Sequence, residues 1–414
     1  MITIESIFTK ENMIKAARKV ARKSSAGIDG ISAKEIVTII EKDYTYIYKR
    51  LINAQYHPKE VRMINIPKSN NQFRHIGIAT ALDRCIQGTM NKCLYPIFEP
   101  EWSEHSFGFR KSKSCKMAIN KVIEYIQDDY KWAIKLDLSG CFDNINQNKV
   151  LFRIRKKIED ERVIDLVKDY LRIIYVDGNN KWANDKGTPQ GSPLSPLFAE
   201  IIMMDIDREF QKRGIKFVRY ADDILILTKS QSSAQRVKDN SIRCIQKKCH
   251  LIINHEKSCI KSLEEGINFL GFCIYTNGSQ IHITPNLNSI RSLKYKIRME
   301  CNERKPDEIP RRINEIARGW LDYYIESECR TCCRRMDLFI KKQIHKAEKR
   351  YDTVIDNERF IGMARLYENK RHLLNTKKEA DGQHKKTTKT MKENCAAANH
   401  WCRDPPAMGE LFIL

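Results

Sequence analysis

Two adjacent acids inside an apolar stretch constrain this chain more than any other feature. They are Asp222 and Asp223 in Phe217-Val218-Arg219-Tyr220-Ala221-Asp222-Asp223-Ile224-Leu225-Ile226-Leu227. The apolar residues on either side predict strand, turn, strand, with the acids at the turn. Neighbouring carboxylates at a hairpin tip repel each other, and a cation between them relieves that repulsion. Asp-Asp is also common in plain polar turns, so the tetrapeptide alone leaves both readings open.

A second signal lies upstream. Ile134-Lys135-Leu136-Asp137-Leu138 is another short apolar run carrying an acid at its end, followed by Phe142 and Asp143. An acid at one strand end and an acidic pair on a neighbouring hairpin meet the needs of a two-Mg²⁺ phosphoryl-transfer site. Hard cations take oxygen ligands, and ions about 3.5–4 Å apart need carboxylates that bridge them. Taken singly, Asp137 reads equally well as a helix N-cap. Gly187-Thr188-Pro189-Gln190-Gly191-Ser192-Pro193-Leu194-Ser195-Pro196 is a Gly/Pro/Ser-rich loop opening a helix, which offers backbone N–H groups and a flat amide to a docked group. By itself it is an ordinary loop.

The surrounding pattern is α+β. Residues 10–57 read as helix, Gly-containing turn, helix, and 61–80 as a hairpin about Ser69-Asn70-Asn71. Residues 81–98, 114–128, 147–175, 193–212 and 231–249 carry helical spacing, and 267–275 reads as one more strand. Acid-tipped strands with helices between them describe an antiparallel sheet with helices on one face. After Pro285 the pattern is helical to about residue 350, with 17 Lys or Arg against 10 Asp or Glu over 285–350. Residues 376–394 are polar and lysine-rich, and read as flexible or ordered by RNA.

The 414 residues hold 74 Lys or Arg against 52 Asp or Glu, a formal charge of +22. With 42 % hydrophobic residues the chain can build a core, so the excess charge points to a polyanionic partner, of which nucleic acid is the commonest. No apolar run reaches membrane-spanning length and the N-terminus lacks a signal-peptide core, so a cytoplasmic protein is expected. The 14 cysteines show no paired metal-ligand spacing and read as reduced thiols.

Taken in order, these motifs resemble the polymerase core of reverse transcriptases. Asp137 looks like the first metal-binding motif, Gln190-Gly191 the nucleotide-site loop, and Tyr220-Ala221-Asp222-Asp223 the paired-aspartate motif. Asn254-His255-Glu256-Lys257 looks like the following lysine motif, and Phe269-Leu270-Gly271-Phe272 the primer-gripping hairpin. Further marks narrow the likeness to the bacterial group II intron-encoded reverse transcriptase and maturase family. They are Gly27-Ile28-Asp29-Gly30, Ile66-Pro67-Lys68 with Arg74-His75-Ile76-Gly77-Ile78, His105-Ser106-Phe107-Gly108-Phe109-Arg110, and Arg318-Gly319-Trp320 with Tyr323-Tyr324. The likeness covers roughly residues 10–350. Cys395, His400 and Cys402 lack the spacing of the endonuclease domain found in some members, so an endonuclease-lacking type is expected. Ser192 stands where many relatives have glycine, and Ser195-Pro196 argues against the diversity-generating retroelement branch.

The resemblance implies a right-hand polymerase: a helical N-terminal extension (1–57), fingers and palm with an antiparallel sheet (58–284), a helical thumb or maturase region (285–350), and a basic C-terminal segment (351–414). It implies that Asp137, Asp222 and Asp223 hold two Mg²⁺, with Mn²⁺ as a substitute and the Leu138 carbonyl as a further ligand. Lys68 and Arg74 would clamp the triphosphate, Phe142 would exclude ribonucleotides at C2′, Gln190 would meet the nucleotide, and Lys257 would act as an acid beside the triphosphate. Arg110, Lys111 and Lys113 read either as a template grip or as a basic turn. The implied partners are an RNA template with DNA primer, dNTPs, a group II intron RNA and target DNA, in a bacterial cytoplasm. Two rival readings stay open: an intron-free relative serving phage defence or DNA repair, and a non-catalytic RNA-binding splicing factor.

Overall fold

Side-chain caps fix where many of the helices begin. Thr9, Thr80, Ser114, Asn146, Asp160 and Ser230 each accept a hydrogen bond from a first-turn N–H, the role short polar side chains fill at that position. The computed structural model describes residues 2–22, 25–67, 73–356, 360–372 and 374. They group into two units, one over Met1–Ser262 and one from Leu263 onward.

The first unit begins with α1 (Ile4–Ile7), α2 (Lys10–Val20) and α3 (Ile36–Ile52), then the hairpin β1 (Val61–Pro67) and β2 (Phe73–Ile78). Helices α4 (Ala81–Phe98) and α5 (Cys115–Gln127) lead to β3 (Trp132–Leu136) and the short β4 (Leu138–Ser139). Then follow α6 (Gln147–Arg155), α7 (Glu161–Leu171), β5 (Ile174–Asp177), β6 (Asn180–Ala183), α8 (Ser195–Lys212), β7 (Lys216–Tyr220), β8 (Asp223–Thr228), α9 (Gln231–Cys249), β9 (Ile252–Ile253) and β10 (Cys259–Ser262).

Two four-stranded sheets organise this unit. One runs β2-β1-β5-β6, with β1 and β5 parallel, and the other β10-β3-β8-β7, antiparallel throughout. In the second sheet Ile134, Leu136, Ile224 and Ile226 are buried on one face, and Ala133, Leu225 and Leu227 on the other. Strands covered on both sides read as continuous apolar runs, which is why β8 is legible as Ile-Leu-Ile-Leu. Helices α8 and α9 pack on each other, α8 on β7, and α9 on β3 and β8.

The second unit opens with the antiparallel sheet β11 (Ile267–Phe269), β12 (Phe272–Asn277) and β13 (Gln280–Pro285), followed by α10 (Leu287–Glu303), α11 (Ile309–Tyr324) and α12 (Arg330–Tyr351). Ile309, Ile313, Ala317, Leu321 and Tyr324 form one buried stripe of α11 at helical spacing.

The structure departs from the sequence pattern in four places. The single strand expected over 267–275 breaks into β11 and β12 at Leu270-Gly271, whose φ angles are 47° and 80°. The helix expected over 147–175 is two helices and a strand. The hairpin β5–β6 has no counterpart in the sequence pattern, because every residue of β6 is exposed and no apolar alternation marks it. Beyond residue 350, where periodicity fades, Ile355, Met363 and Tyr367 are nevertheless buried and 363–372 is helical. Asp337 accepts hydrogen bonds from the Met363 and Ala364 N–H groups and so caps that helix. The lysine-rich 376–394 lies outside the described residues.

No helix among the described residues is long and apolar enough to cross a membrane. The 12 cysteines among them are all free thiols.

Candidate active site

The register of β3 on β8 ends with Leu136 opposite Ile224. Asp137 follows that last pair on one strand and Asp223 precedes it on the other. Tyr220 pairs with Asp223 across the hairpin, leaving Ala221 and Asp222 as the two-residue turn. Ala221 takes φ 56°, a left-handed conformation that side chains other than glycine's resist. The three sequence-predicted acids therefore all lie at one end of this sheet. Lys135 Nζ lies 3.5 Å from Asp223 Oδ1.

Alternation along β7 and β8 sends Arg219 and Ile224 to the face opposite Tyr220 and Asp223. There Arg219, fully buried, forms paired hydrogen bonds with Glu200 (2.8 and 2.9 Å) and Asp207 (2.8 and 2.6 Å), both from α8. Its Nη1 also donates to the Ala221 carbonyl at 3.0 Å, which ties the turn to the ion cluster. The Ser106 hydroxyl donates to Glu200 at 3.1 Å. Backbone bonds from Phe107 to Arg219 (2.8 Å) and from Arg219 to His105 (2.9 Å) lay residues 105–107 along β7. Arg110, read from the sequence either as a template grip or as part of a basic turn, donates to the Ser103 and Ser106 carbonyls at 2.6 and 3.2 Å and stiffens this segment. Lys113 Nζ donates to the Glu104 carbonyl. Motif reading alone misses Arg219, although an arginine inside an apolar strand demands buried carboxylate partners.

Asp137 is held by its backbone. Its N–H donates to Ser258 Oγ at 3.0 Å and its carbonyl accepts from Asn254 N–H at 2.8 Å. Those two residues close the turn that carries Lys257, whose N–H donates to Asn254 Oδ1, so Lys257 is tethered beside Asp137 and exposed. Leu138 pairs with Ile253 in the β4–β9 ladder.

The nucleotide-loop candidates gather around Phe142. The ring is 9 % exposed and meets Phe109 edge-on at 6.0 Å. Its carbonyl accepts from Thr188 N–H at 2.8 Å. Gln190 donates through Nε2 to Asp143, and its carbonyl accepts from Gly77 N–H in β2 at 2.8 Å. Gly191 has φ 103°, and a Cβ there would stand 2.6 Å from the Gly77 carbonyl oxygen, so the docking of loop on strand requires glycine. Ser192, the departure from the usual glycine, is accommodated by donating to Gln87 Oε1 at 2.8 Å. Arg74 pairs with Ile66 in the β1–β2 hairpin, and Lys68 lies outside the described residues.

The donor types suit a hard divalent cation, since one sheet end carries three acidic residues. The fit lies in backbone placement. Among the described residues no three His, Cys, Asp or Glu side chains are already gathered as a ligand set.

Residues 66–274 match the family described as Reverse transcriptase (RNA-dependent DNA polymerase). The chain is 24 % identical to Protein YkfC of Escherichia coli K12 over 283 residues, 59 % of this chain and 74 % of that one. It is 27 % identical to Group II intron-encoded protein LtrA of Lactococcus lactis over 311 residues, covering 59 % of this chain and 50 % of LtrA. Retron Ec86 reverse transcriptase of Escherichia coli is 26 % identical over 258 residues, 60 % of this chain and 69 % of its own length. The chain thus spans about half the length of LtrA.

Proposed function

The chain belongs to the reverse transcriptase (RNA-dependent DNA polymerase) family, in its group II intron-encoded branch, and from that premise we propose that it extends a primer 3′-hydroxyl with deoxynucleotides on an RNA template. The fold is that of a right-hand polymerase with a helical region. In this reading 1–57 form the N-terminal extension, 58–284 the fingers and palm, 285–350 the thumb or maturase region, and 351–414 a basic C-terminal segment, flexible or nucleic-acid-binding.

Asp137, Asp222 and Asp223 would hold two Mg²⁺, or Mn²⁺ in their place, with the Leu138 carbonyl as a further ligand. Bound there, the ions would lower the pKa of the attacking hydroxyl and neutralise the triphosphate. Lys68 and Arg74 clamp the β- and γ-phosphates. Phe142 fills the space beside C2′, and Gln190 meets the 3′-hydroxyl or the base-pair edge of the incoming nucleotide. Lys257 Nζ donates a proton to the leaving pyrophosphate. The likeness to LtrA supports a second role, binding a group II intron RNA to assist its splicing and retrohoming into target DNA.

The single observation that supports the polymerase reading is that Asp137 and Asp223 flank the last β3–β8 pair, Leu136 with Ile224, while Asp222 lies in the hairpin turn. Asp222→Asn should cut Mg²⁺-dependent primer extension on RNA by at least about 10³-fold, the scale on which transition-state charge stabilisers act. Near-wild-type extension by that variant would overturn the assignment.

A further inference from the structure

Strand β3 reads Trp-Ala-Ile-Lys-Leu, four apolar residues and one lysine, and it lies inside its sheet between β10 and β8. Across the sheet Lys135 is paired with Leu225 on β8 and Cys259 on β10, and neither brings a charge to it. Its side chain is 22 % exposed, and an ammonium withdrawn that far from water needs a carboxylate partner. The partner is Asp223, the first residue of β8, whose Oδ1 lies 3.5 Å from Nζ and whose side chain is 27 % exposed. Arg219, in the strand before the turn, is already committed to Glu200 and Asp207. Lys135 thus brings a fixed positive charge to the sheet end that carries the three acids, two residues before Asp137 in the chain.

Among the described residues no three acids are gathered as a ligand set, and the Asp223 carboxylate meets the Lys135 ammonium. A divalent cation that takes Asp223 as a ligand brings two positive charges beside that ammonium, which must then withdraw. We propose that Lys135 is a built-in counter-ion of the acidic sheet end: it neutralises Asp223 while no metal is bound, and it competes with a divalent cation for that carboxylate. The inference rests on the polymerase reading above and concerns how firmly the site takes its ion. Metal affinity is scaled down by the fraction of molecules whose Asp223 is free of the lysine. The same pair spares the acids part of their mutual repulsion before an ion arrives. Lys135 acts through Asp223 and is therefore a positioning residue.

Titrating Mn²⁺ into the metal-free full chain, with the free ion read by electron paramagnetic resonance, tests this without any turnover. The binding that is lost in Asp137→Asn defines the site. Lys135→Met keeps an unbranched stem between Leu225 and Cys259 and removes the charge. It should tighten that binding at least about fivefold, the scale of one partly exposed ion pair. Melting curves should show a larger Mn²⁺-induced rise in Tm than in wild type, because tighter binding to the folded state stabilises it more. Lys135→Arg keeps the charge and should bind Mn²⁺ within about twofold of wild type. Lys261→Met removes the same charge from β10, where Lys261 pairs with Ala133 further from the acids, and should also leave the affinity within about twofold. Mn²⁺ binding that is unchanged or weaker in Lys135→Met, or equally tightened in Lys261→Met, overturns the inference. Should Lys135→Met not fold, Lys135→Gln carries the same comparison. Wild-type protein that neither holds Mn²⁺ at this site nor extends a primer on RNA overturns the polymerase reading itself, which separates the two failures.

Discussion

Phe142 is packed edge-on against Phe109, in the core shared by β3, α8 and the neighbouring helices, and a small part of it stays accessible. Its backbone holds the nucleotide loop through Thr188, so the ring sits between a packed interior and the proposed sugar position. An added 2′-hydroxyl would have to overlap aromatic carbon, at a cost on the order of 1–3 kcal/mol, or roughly 5- to 150-fold in discrimination. Phe142→Val should raise ribonucleotide incorporation relative to deoxynucleotide by at least about tenfold. Because the ring is also core, the variant should lose about 1–3 kcal/mol of stability. Denaturant unfolding beside paired rNTP and dNTP extension reads both effects. A stability loss with unchanged sugar preference would reduce Phe142 to packing alone. At this scale the sequence exposes only residues whose chemistry is conspicuous. Asp222 and Asp223 stand out because acids are out of place in an apolar run. Arg219 is as out of place in its run as the acids, but Glu200 and Asp207 look like solvated charges, and only the folding of α8 onto β7 identifies them as its partners.

The aspartate hairpin gets its shape from a neighbour distant in the chain rather than from its own turn propensity, since Ala221 is a poor residue for its left-handed φ. Gly108 makes the close approach possible. A Cβ there would stand 2.2 Å from the Ala221 nitrogen and 2.9 Å from its Cα. Gly108→Ala must therefore displace either the 105–110 segment or the turn, and a misplacement of about 1 Å at a reacting centre can cost on the order of 10²-fold. We expect primer extension to fall at least about tenfold, with helical circular dichroism retained. Unchanged extension would mean that the segment does not fix the turn. Elements are legible where burial leaves a pattern: β7 and β8 as apolar runs broken by acids, α8 and α9 by their spacing. The fully exposed β6 leaves none, and the break at Leu270-Gly271 is a local turn inside a run that is apolar on both sides. Register is not legible at all, because the pairing of β3 with β8 is decided by packing between segments far apart in the chain.

The formal charge of +22 is a property of the whole chain, and its consequence is thermodynamic. A polyanion bound through phosphate contacts releases condensed counterions, so log affinity falls linearly with log salt at about −0.9 per duplex phosphate neutralised. Part of the charge is arranged rather than merely abundant. On α12, Ile340, Ile344 and Ala347 face inward, while Lys342, Lys346 and Lys349 are exposed at i, i+4 and i+7 and form one stripe of like charge. Such a stripe repels itself in the free protein and is relieved when phosphates lie along it. Neutralising the three lysines to glutamine should weaken template–primer binding similarly across template sequences, since phosphate contacts carry no base information. It should also flatten the salt slope by about one for each phosphate no longer neutralised. Binding titrations of wild type and variant at four or more salt concentrations supply both slopes. Parallel lines of equal slope would place the duplex elsewhere, and a flat wild-type line would remove the electrostatic footing of nucleic-acid binding altogether.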